Sequence, residues 1–173
     1  MQELLRAACF AAEKHASQRR KGDGAEPYVN HLLEVARLVA ESLETPDEPL
    51  VMAALLHDTL EDTDTTYEEL VEQFGEDVAS LVAEATDDKS LPKAERKRLQ
   101  IEHAPTRTRR AQIIKIADKI SNLRSLGVSP PAGWDEARKL EYIEWARQVV
   151  AGLREPNLKL LAEFERAWRK YPG

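Results

Sequence analysis

Three observations in the 173-residue sequence predict an all-α fold, a compact single-domain bundle of several helices. Apolar residues recur with helical spacing along nearly the whole chain. No segment shows the alternation of a half-buried strand. There is also no internal repeat, low-complexity tract or interdomain linker, so residues 1–173 are expected to form one domain, long enough to bury roughly two-thirds of the unfolded surface.

The first helix is expected over 2–19, with Leu5, Ala8, Cys9, Ala12 and Ala16 on its apolar stripe. Glycines and a proline make Lys21-Gly22-Asp23-Gly24-Ala25-Glu26-Pro27 a loop. A second helix covers 30–43, and Pro46 and Pro49 mark the break after it. The third, over 49–57, is apolar on every side (Leu50, Val51, Met52, Ala53, Ala54, Leu55, Leu56), which places it in the middle of the domain. Thr66 and Glu69 have capping-box spacing for a short helix ending near Gly75. Further helices follow over 77–86, 92–103, 108–126, 134–153 and 156–171.

With 42% apolar and 32% charged residues, the composition is that of an ordinary globular chain. The single cysteine, Cys9, rules out an internal disulfide and suits a reducing, cytoplasmic compartment. No signal peptide is evident, and no apolar run approaches membrane-spanning length, so no membrane partner is expected. A net charge of -6 argues against binding a nucleic-acid polymer. Basic residues nevertheless cluster at Arg19-Arg20-Lys21, at Arg96-Lys97-Arg98, and at Arg107 with Arg109-Arg110. Each cluster is either a solvated face or part of a positive wall for a small anionic ligand.

The chemistry centres on His57-Asp58, which the apolar third helix delivers into the interior. A buried carboxylate without a partner is very unfavourable, so something positive must neutralise Asp58. An isolated pair of this kind is more often a turn cap beside a core histidine. Here Glu61 and Asp62 follow at once, and a metal ion accounts for the whole group. His31 lies beside the stripe of Val35, Leu38 and Val39 and is placed to look inward. In the helix around Asp118, Ile113, Ile116, Ala117, Ile120 and Leu123 make the apolar stripe. Lys115, Asp118 and Asn122 fall opposite it within about a 60° arc, which periodicity alone does not separate from a solvent-facing stripe.

Two imidazoles and two carboxylates form a mixed nitrogen and oxygen donor set. On a six-coordinate ion they leave positions for water and substrate, which favours Mn²⁺ or another hexacoordinate divalent ion over structural zinc. Such an ion polarises a phosphoryl oxygen, while Glu61 and Asp62 orient or deprotonate the attacking water.

His31, His57-Asp58 and Asp118, in that order, resemble the H…HD…D pattern of the HD-domain phosphohydrolases. The likeness extends to Arg20-Lys21, Tyr28-Val29-Asn30-His31, the run from Ala53 through His57-Asp58 to Glu61-Asp62-Thr63, Thr86-Asp87-Asp88-Lys89, Leu91-Pro92-Lys93 with Arg96-Lys97, and Lys115-Ile116-Ala117-Asp118-Lys119-Ile120-Ser121-Asn122-Leu123-Arg124. These are similar to the hydrolase domain of the RelA/SpoT group, and most of all to its small stand-alone alarmone hydrolases, metazoan SpoT homologues among them. The resemblance implies Mn²⁺-dependent removal of the 3′-pyrophosphate from guanosine tetra- and pentaphosphate. Carried over, His31, His57, Asp58 and Asp118 are metal ligands and Glu61 and Asp62 the catalytic acidic pair. Arg20 and Lys21 line the nucleotide pocket, Asn122 lies near the ribose and its 3′-phosphates, and Tyr142 contacts the nucleotide.

Two positions depart from the family pattern. Leu32 stands where many relatives have proline, and Lys119 replaces the arginine common in long bifunctional enzymes. A chain of 173 residues leaves no room for a synthetase domain, so hydrolysis is the only activity expected. Two alternatives remain open at this stage: removal of the 2′-phosphate of NADPH, and an inactive nucleotide-binding module.

Overall fold

The computed structural model describes residues 1–171, so the expected domain end at 173 lies outside the described residues. Among them the secondary structure is helical, with two isolated bridges and no strand. The α-helices are α1 (Gln2–Lys14), α2 (Val29–Ser42), α3 (Glu48–Leu56), α4 (Thr59–Asp62), α5 (Tyr67–Phe74), α6 (Glu76–Ala85), α7 (Lys93–His103), α8 (Arg109–Val128), α9 (Glu136–Ala151) and α10 (Leu158–Trp168). A 3₁₀ turn, Ala104–Thr106, joins α7 to α8. No helix among the described residues is long and apolar enough to cross a membrane.

Helix starts follow side-chain capping. Asp47 accepts from the Leu50 amide at 3.0 Å, with Pro49 in the first turn of α3, where a missing N–H costs nothing. Thr66 accepts from the Glu69 amide at 3.1 Å, as the capping spacing predicts, and Gly75 ends α5 at φ 84°, a conformation that favours glycine. Asp135 and Asn157 cap α9 and α10, which start two residues later than periodicity indicates because these caps fix the first turn.

Helix α3 packs against α1, α2, α6 and α8, and Leu50, Met52, Ala53, Ala54, Leu55 and Leu56 are all buried, as expected of a helix without a polar face. Helix α8 is enclosed by α2, α3, α6, α9 and α10. The 3.6-residue period turns its polar residues into this interior too: Lys115, Lys119 and Ser121 are buried.

The first helix departs from expectation in both length and face. It ends at Lys14, and the buried positions are Ala7, Ala11 and His15. Leu5 is 62% exposed and Cys9 is exposed, because alanines on both sides of this helix leave its face undetermined by pattern. Beyond His15 the chain folds back on itself. The Arg20 amide donates to Glu26 O at 2.9 Å and the Tyr28 amide to Gln18 O at 3.1 Å. Gly22 in this loop lies against Ser129, whose carbonyl oxygen would sit 2.2 Å from an added Cβ, so only glycine fits the approach. The loop carrying Arg20 and Lys21 is thereby tied to the segment following α8.

Leu32 is fully buried, whereas Leu33 is 48% exposed. Position 32, which departs from the expected family pattern, is therefore filled by a leucine of the core. Leu32→Ala is expected to lower unfolding free energy by about 3 kcal/mol in urea titration, and Leu33→Ala to change it by less than about 0.5 kcal/mol.

Candidate active site

Three buried helices meet at the site: the end of α3, the first turn of α2 and the middle of α8. His57 closes α3, and its Nδ1 donates to Ala54 O at 2.8 Å. This leaves Nε2 facing inward, buried and without a hydrogen-bond partner. His31 Nδ1 lies 2.8 Å from Ser121 Oγ, which itself donates to Glu34 at 2.7 Å. Glu34 is held by Arg124 at 3.0 Å. Since the serine proton is committed to Glu34, Nδ1 donates to Ser121, and in the neutral ring the lone pair of His31 therefore sits on the inward-facing Nε2.

Both Nε2 atoms point at two carboxylates. Asp58 Oδ2 lies 3.1 Å from His57 Nε2 and 3.6 Å from His31 Nε2. Asp118 Oδ1 lies 3.4 Å from His31 Nε2 and 4.0 Å from His57 Nε2. One donor atom each from His31, His57 and Asp118 falls within 4.8 Å of the others. The carboxylates are oriented in turn: Tyr28 Oη donates to Asp58 at 2.7 Å, and Asn122 and Lys119 donate to Asp118 at 2.6 and 2.9 Å.

Burial pushes Asp58 and Asp118 toward protonation, yet both stay well below the usual carboxylate range. His57 and His31 hold Asp58 down, and Lys119 with both imidazoles holds Asp118 down. Burial would likewise lower His57, but Asp58 and Asp118 outweigh it and raise the imidazole to about 9. Two ionised carboxylates and two inward-facing Nε2 atoms fit a divalent cation, which would take the place of the proton that Asp58 and Asp118 otherwise keep on His57.

Glu61 and Asp62 lie on the single turn α4, which the sequence pattern does not resolve as a separate helix. Glu61 accepts from the Asp87 amide and pairs with Arg96 Nη1, both at 3.3 Å. Burial, then Asp87 and Asp58, raise its carboxyl above the ordinary range. Asp62 accepts from Gln18 Nε2 at 2.9 Å and from Lys89 Nζ.

Above these groups opens a cleft of about 400 Å³, lined by Arg20, Lys21, Asn122 and Tyr142 together with Asp58, Glu61, Asp62 and Asp118. Burial raises the Tyr142 phenol to about 12, so it remains a donor at neutral pH. Its ring stands 5.7 Å from Trp134 and 5.3 Å from Trp145, with Lys97 Nζ 5.0 Å from the Trp145 centroid. Lys93, Arg96 and Lys97 line the same wall. Arg19 also lines the cleft, whereas Arg98, Arg107, Arg109 and Arg110 do not. Arg98 pairs with Glu95 and Glu102, Arg107 donates to Glu84 O, Arg110 pairs with Asp47 and Asp77, and Arg109 is exposed.

Pattern reasoning identifies Lys115 only as part of the Asp118 arc, and does not reach Tyr28, Lys93, Trp134 or Trp145 as parts of the cleft. Tyr28 had a local signal, since it lies three residues before His31 at the start of the same helix.

Residues 7–147 match the HD domain family, and the chain belongs to it. More particularly, it is similar to guanosine-3′,5′-bis(diphosphate) 3′-pyrophosphohydrolase MESH1 of Xenopus tropicalis, 54% identical over 154 residues, covering 89% of this chain and 86% of that one. The Homo sapiens MESH1 is 52% identical over 158 residues, covering 91% and 88%. A solved structure described as a metazoan ortholog of SpoT that hydrolyzes ppGpp matches with a TM-score of 0.93 at 45% identity, covering 98% of this chain and 96% of that one.

Lys115 gives the site a measurable cost. Its buried ammonium donates to Ala85 O at 3.1 Å, and burial, with Lys119 nearby, lowers it from 10.5 to about 8. The destabilisation is fully present below about pH 8 and fades as the pH rises toward 10.5, where the unfolded chain loses the same proton. Lys115→Met is expected to raise unfolding free energy at pH 7 by on the order of 2–3 kcal/mol. Urea titrations at pH 7 and pH 10 should show that gain shrinking; an equal gain at both would contradict the assignment.

Proposed function

We propose that this chain removes the 3′-pyrophosphate of guanosine tetra- and pentaphosphate (ppGpp and pppGpp), giving GDP or GTP and pyrophosphate, as one HD-type hydrolase domain. The observation that carries this reading is the convergence of His31, His57, Asp58 and Asp118 beneath a cationic, aromatic cleft. It is supported by similarity to relatives named for this activity over most of their length.

The four converging side chains are assigned as ligands of Mn²⁺, whose preference for mixed imidazole and carboxylate donors with open positions suits this set. The bound ion supplies Lewis acidity toward a phosphoryl oxygen and makes a neighbouring water more acidic. The reaction is a displacement at the phosphorus bonded to ribose O3′. A P–O bond forms from water, the P–O3′ bond breaks, the water loses a proton and O3′ gains one.

Glu61 and Asp62 are assigned to the water and its proton. The raised Glu61 carboxyl is a stronger base than an exposed glutamate, while two donors fix the orientation of Asp62. Arg20 and Lys21 neutralise substrate phosphates. Asn122, fixed by its bond to Asp118, reaches the ribose and its 3′-phosphates. Tyr142, flanked by Trp134 and Trp145, offers the nucleotide a hydroxyl donor and an aromatic face.

Chelation is expected to abolish pyrophosphate release from ppGpp, and added Mn²⁺ to restore it. Asp58→Ala should lose Mn²⁺ binding and activity together. Glu61→Ala should bind Mn²⁺ as the wild type does, measured by titration calorimetry, and lose roughly 10²-fold or more in kcat. Full activity in both variants would sink the mechanism. Faster turnover of NADPH than of ppGpp at equal concentration would replace the substrate.

A further inference from the structure

Just past the end of α1, Gln18 is one of the two donors on Asp62, and behind it stands His15, which the mechanism above does not use. His15 is buried, and its ring stacks on Tyr28 with centroids 5.2 Å apart and planes inclined by 26°. Its Nδ1 lies 2.5 Å from Gln18 Oε1. An amide oxygen only accepts, so Nδ1 carries the proton and the Gln18 amide is fixed with its NH₂ end outward. That end donates to Asp62 Oδ2 at 2.9 Å. On the other side of the ring, the stacked Tyr28 donates its hydroxyl to Asp58 Oδ2 at 2.7 Å. One imidazole thus backs a carboxylate assigned to the metal and another assigned to the water.

Packing alone does not account for a histidine here. His15 Nε2 is buried without a hydrogen-bond partner, an unfavourable state that a phenylalanine of similar shape would avoid. Ending α1 does not require it either, since its backbone amide closes the helix on Ala11 O as any residue could. What phenylalanine would not supply is the Nδ1 proton.

We propose that His15 and Gln18 are positioning residues for the hydrolysis. His15 orients the Gln18 amide, Gln18 holds the Asp62 carboxylate toward the water, and the stacked ring keeps Tyr28 on Asp58. This rests on the reading that Asp62 acts on the water.

The test compares His15→Phe, Gln18→Leu and the double variant for ppGpp hydrolysis with Mn²⁺, each checked for folding by thermal unfolding. Both single variants are expected to lower kcat roughly tenfold or more, with KM and Mn²⁺ affinity within about twofold of wild type. Because the two act in series, the double variant should be no slower than the slower single one. His15→Asn, whose amide can donate in place of Nδ1, should recover part of the rate. An unchanged kcat in either folded single variant, or losses that multiply in the double variant, would overturn the proposal. A second readout does not depend on turnover. In ¹⁵N-resolved spectra of the wild type, the Gln18 side-chain amide protons should exchange slowly, and should lose that protection in His15→Phe and in Asp62→Ala. Fast exchange in the wild type would refute the relay. If the wild type leaves ppGpp intact, the substrate assignment fails while the amide measurement still decides the relay.

Discussion

Two ionised carboxylates, Asp58 and Asp118, sit inside a bundle otherwise built largely from aliphatic side chains, and the surrounding architecture follows from keeping them there. Water solvates an exposed aspartate; in the interior each needs fixed donors and compensating charge. The fold supplies these from three helices at once. Helix α3 brings His57 and Asp58 in at its end, α2 brings Tyr28 and His31 at its start, and α8 contributes Lys119, Ser121 and Asn122 around Asp118. Since α3 and α8 are also the most enclosed helices of the core, neither can shift without moving the site. A cation bound between these groups would bind the folded chain and not the unfolded one, so loading the site also stabilises the fold.

The orientation of the ring nitrogens depends on bonds one step further out. His31 is fixed through Ser121, Glu34 and Arg124, and Arg124 also pairs with Glu163 on α10 at 2.8 Å. His57 is fixed by a carbonyl of its own helix. Each ring presents Nε2 to the interior by a different means, and the two rings meet edge to face with centroids 5.3 Å apart. The geometry at the centre is therefore set by hydrogen bonds that reach from the core to the last helix.

How much of this the sequence reveals depends on whether a residue contradicts its local surroundings. His57 and Asp58 stand out because they end a run of apolar residues, and Glu61 and Asp62 because they follow directly. Caps such as Thr66 are legible because the bond that makes them is local. The buried face of α1 does not follow from its pattern, because alanines line both sides of it and periodicity does not choose between them. Asp118 is ambiguous in sequence because a polar arc on an enclosed helix has the same period as one facing water; the packing of α2 and α3 against α8, which brings His31 and His57 to it, decides the matter. Gln18 meets Asp62 across 44 positions of sequence, through a fold-back that no local pattern encodes. Arg96 and Arg110 show the same limit: both are arginines of basic clusters, but one faces Glu61 in the cleft and the other is neutralised by Asp47 and Asp77 on the surface.

The cleft joins two opposed electrostatic environments. Its floor collects negative charge, while its wall gathers Lys21, Lys93, Arg96 and Lys97, and burial and the repulsion of these neighbours, with Arg138 close by, lower the Lys93 ammonium. In a chain of net charge -6 this wall is a local exception rather than part of a basic surface. A cation on the floor and a polyanion against the wall would relieve the two repulsions separately, and a ligand spanning both would relieve them together. A nucleotide carrying diphosphates at both ends of one ribose has this distribution of charge: one diphosphate can lie over the floor while the other meets the lysines. The aromatic group of Trp134, Tyr142 and Trp145 stands beside the cationic wall and contributes the apolar surface that inorganic pyrophosphate could not use. Charge would serve phosphates in general, so under the proposed function the selection of a nucleotide falls to that aromatic face.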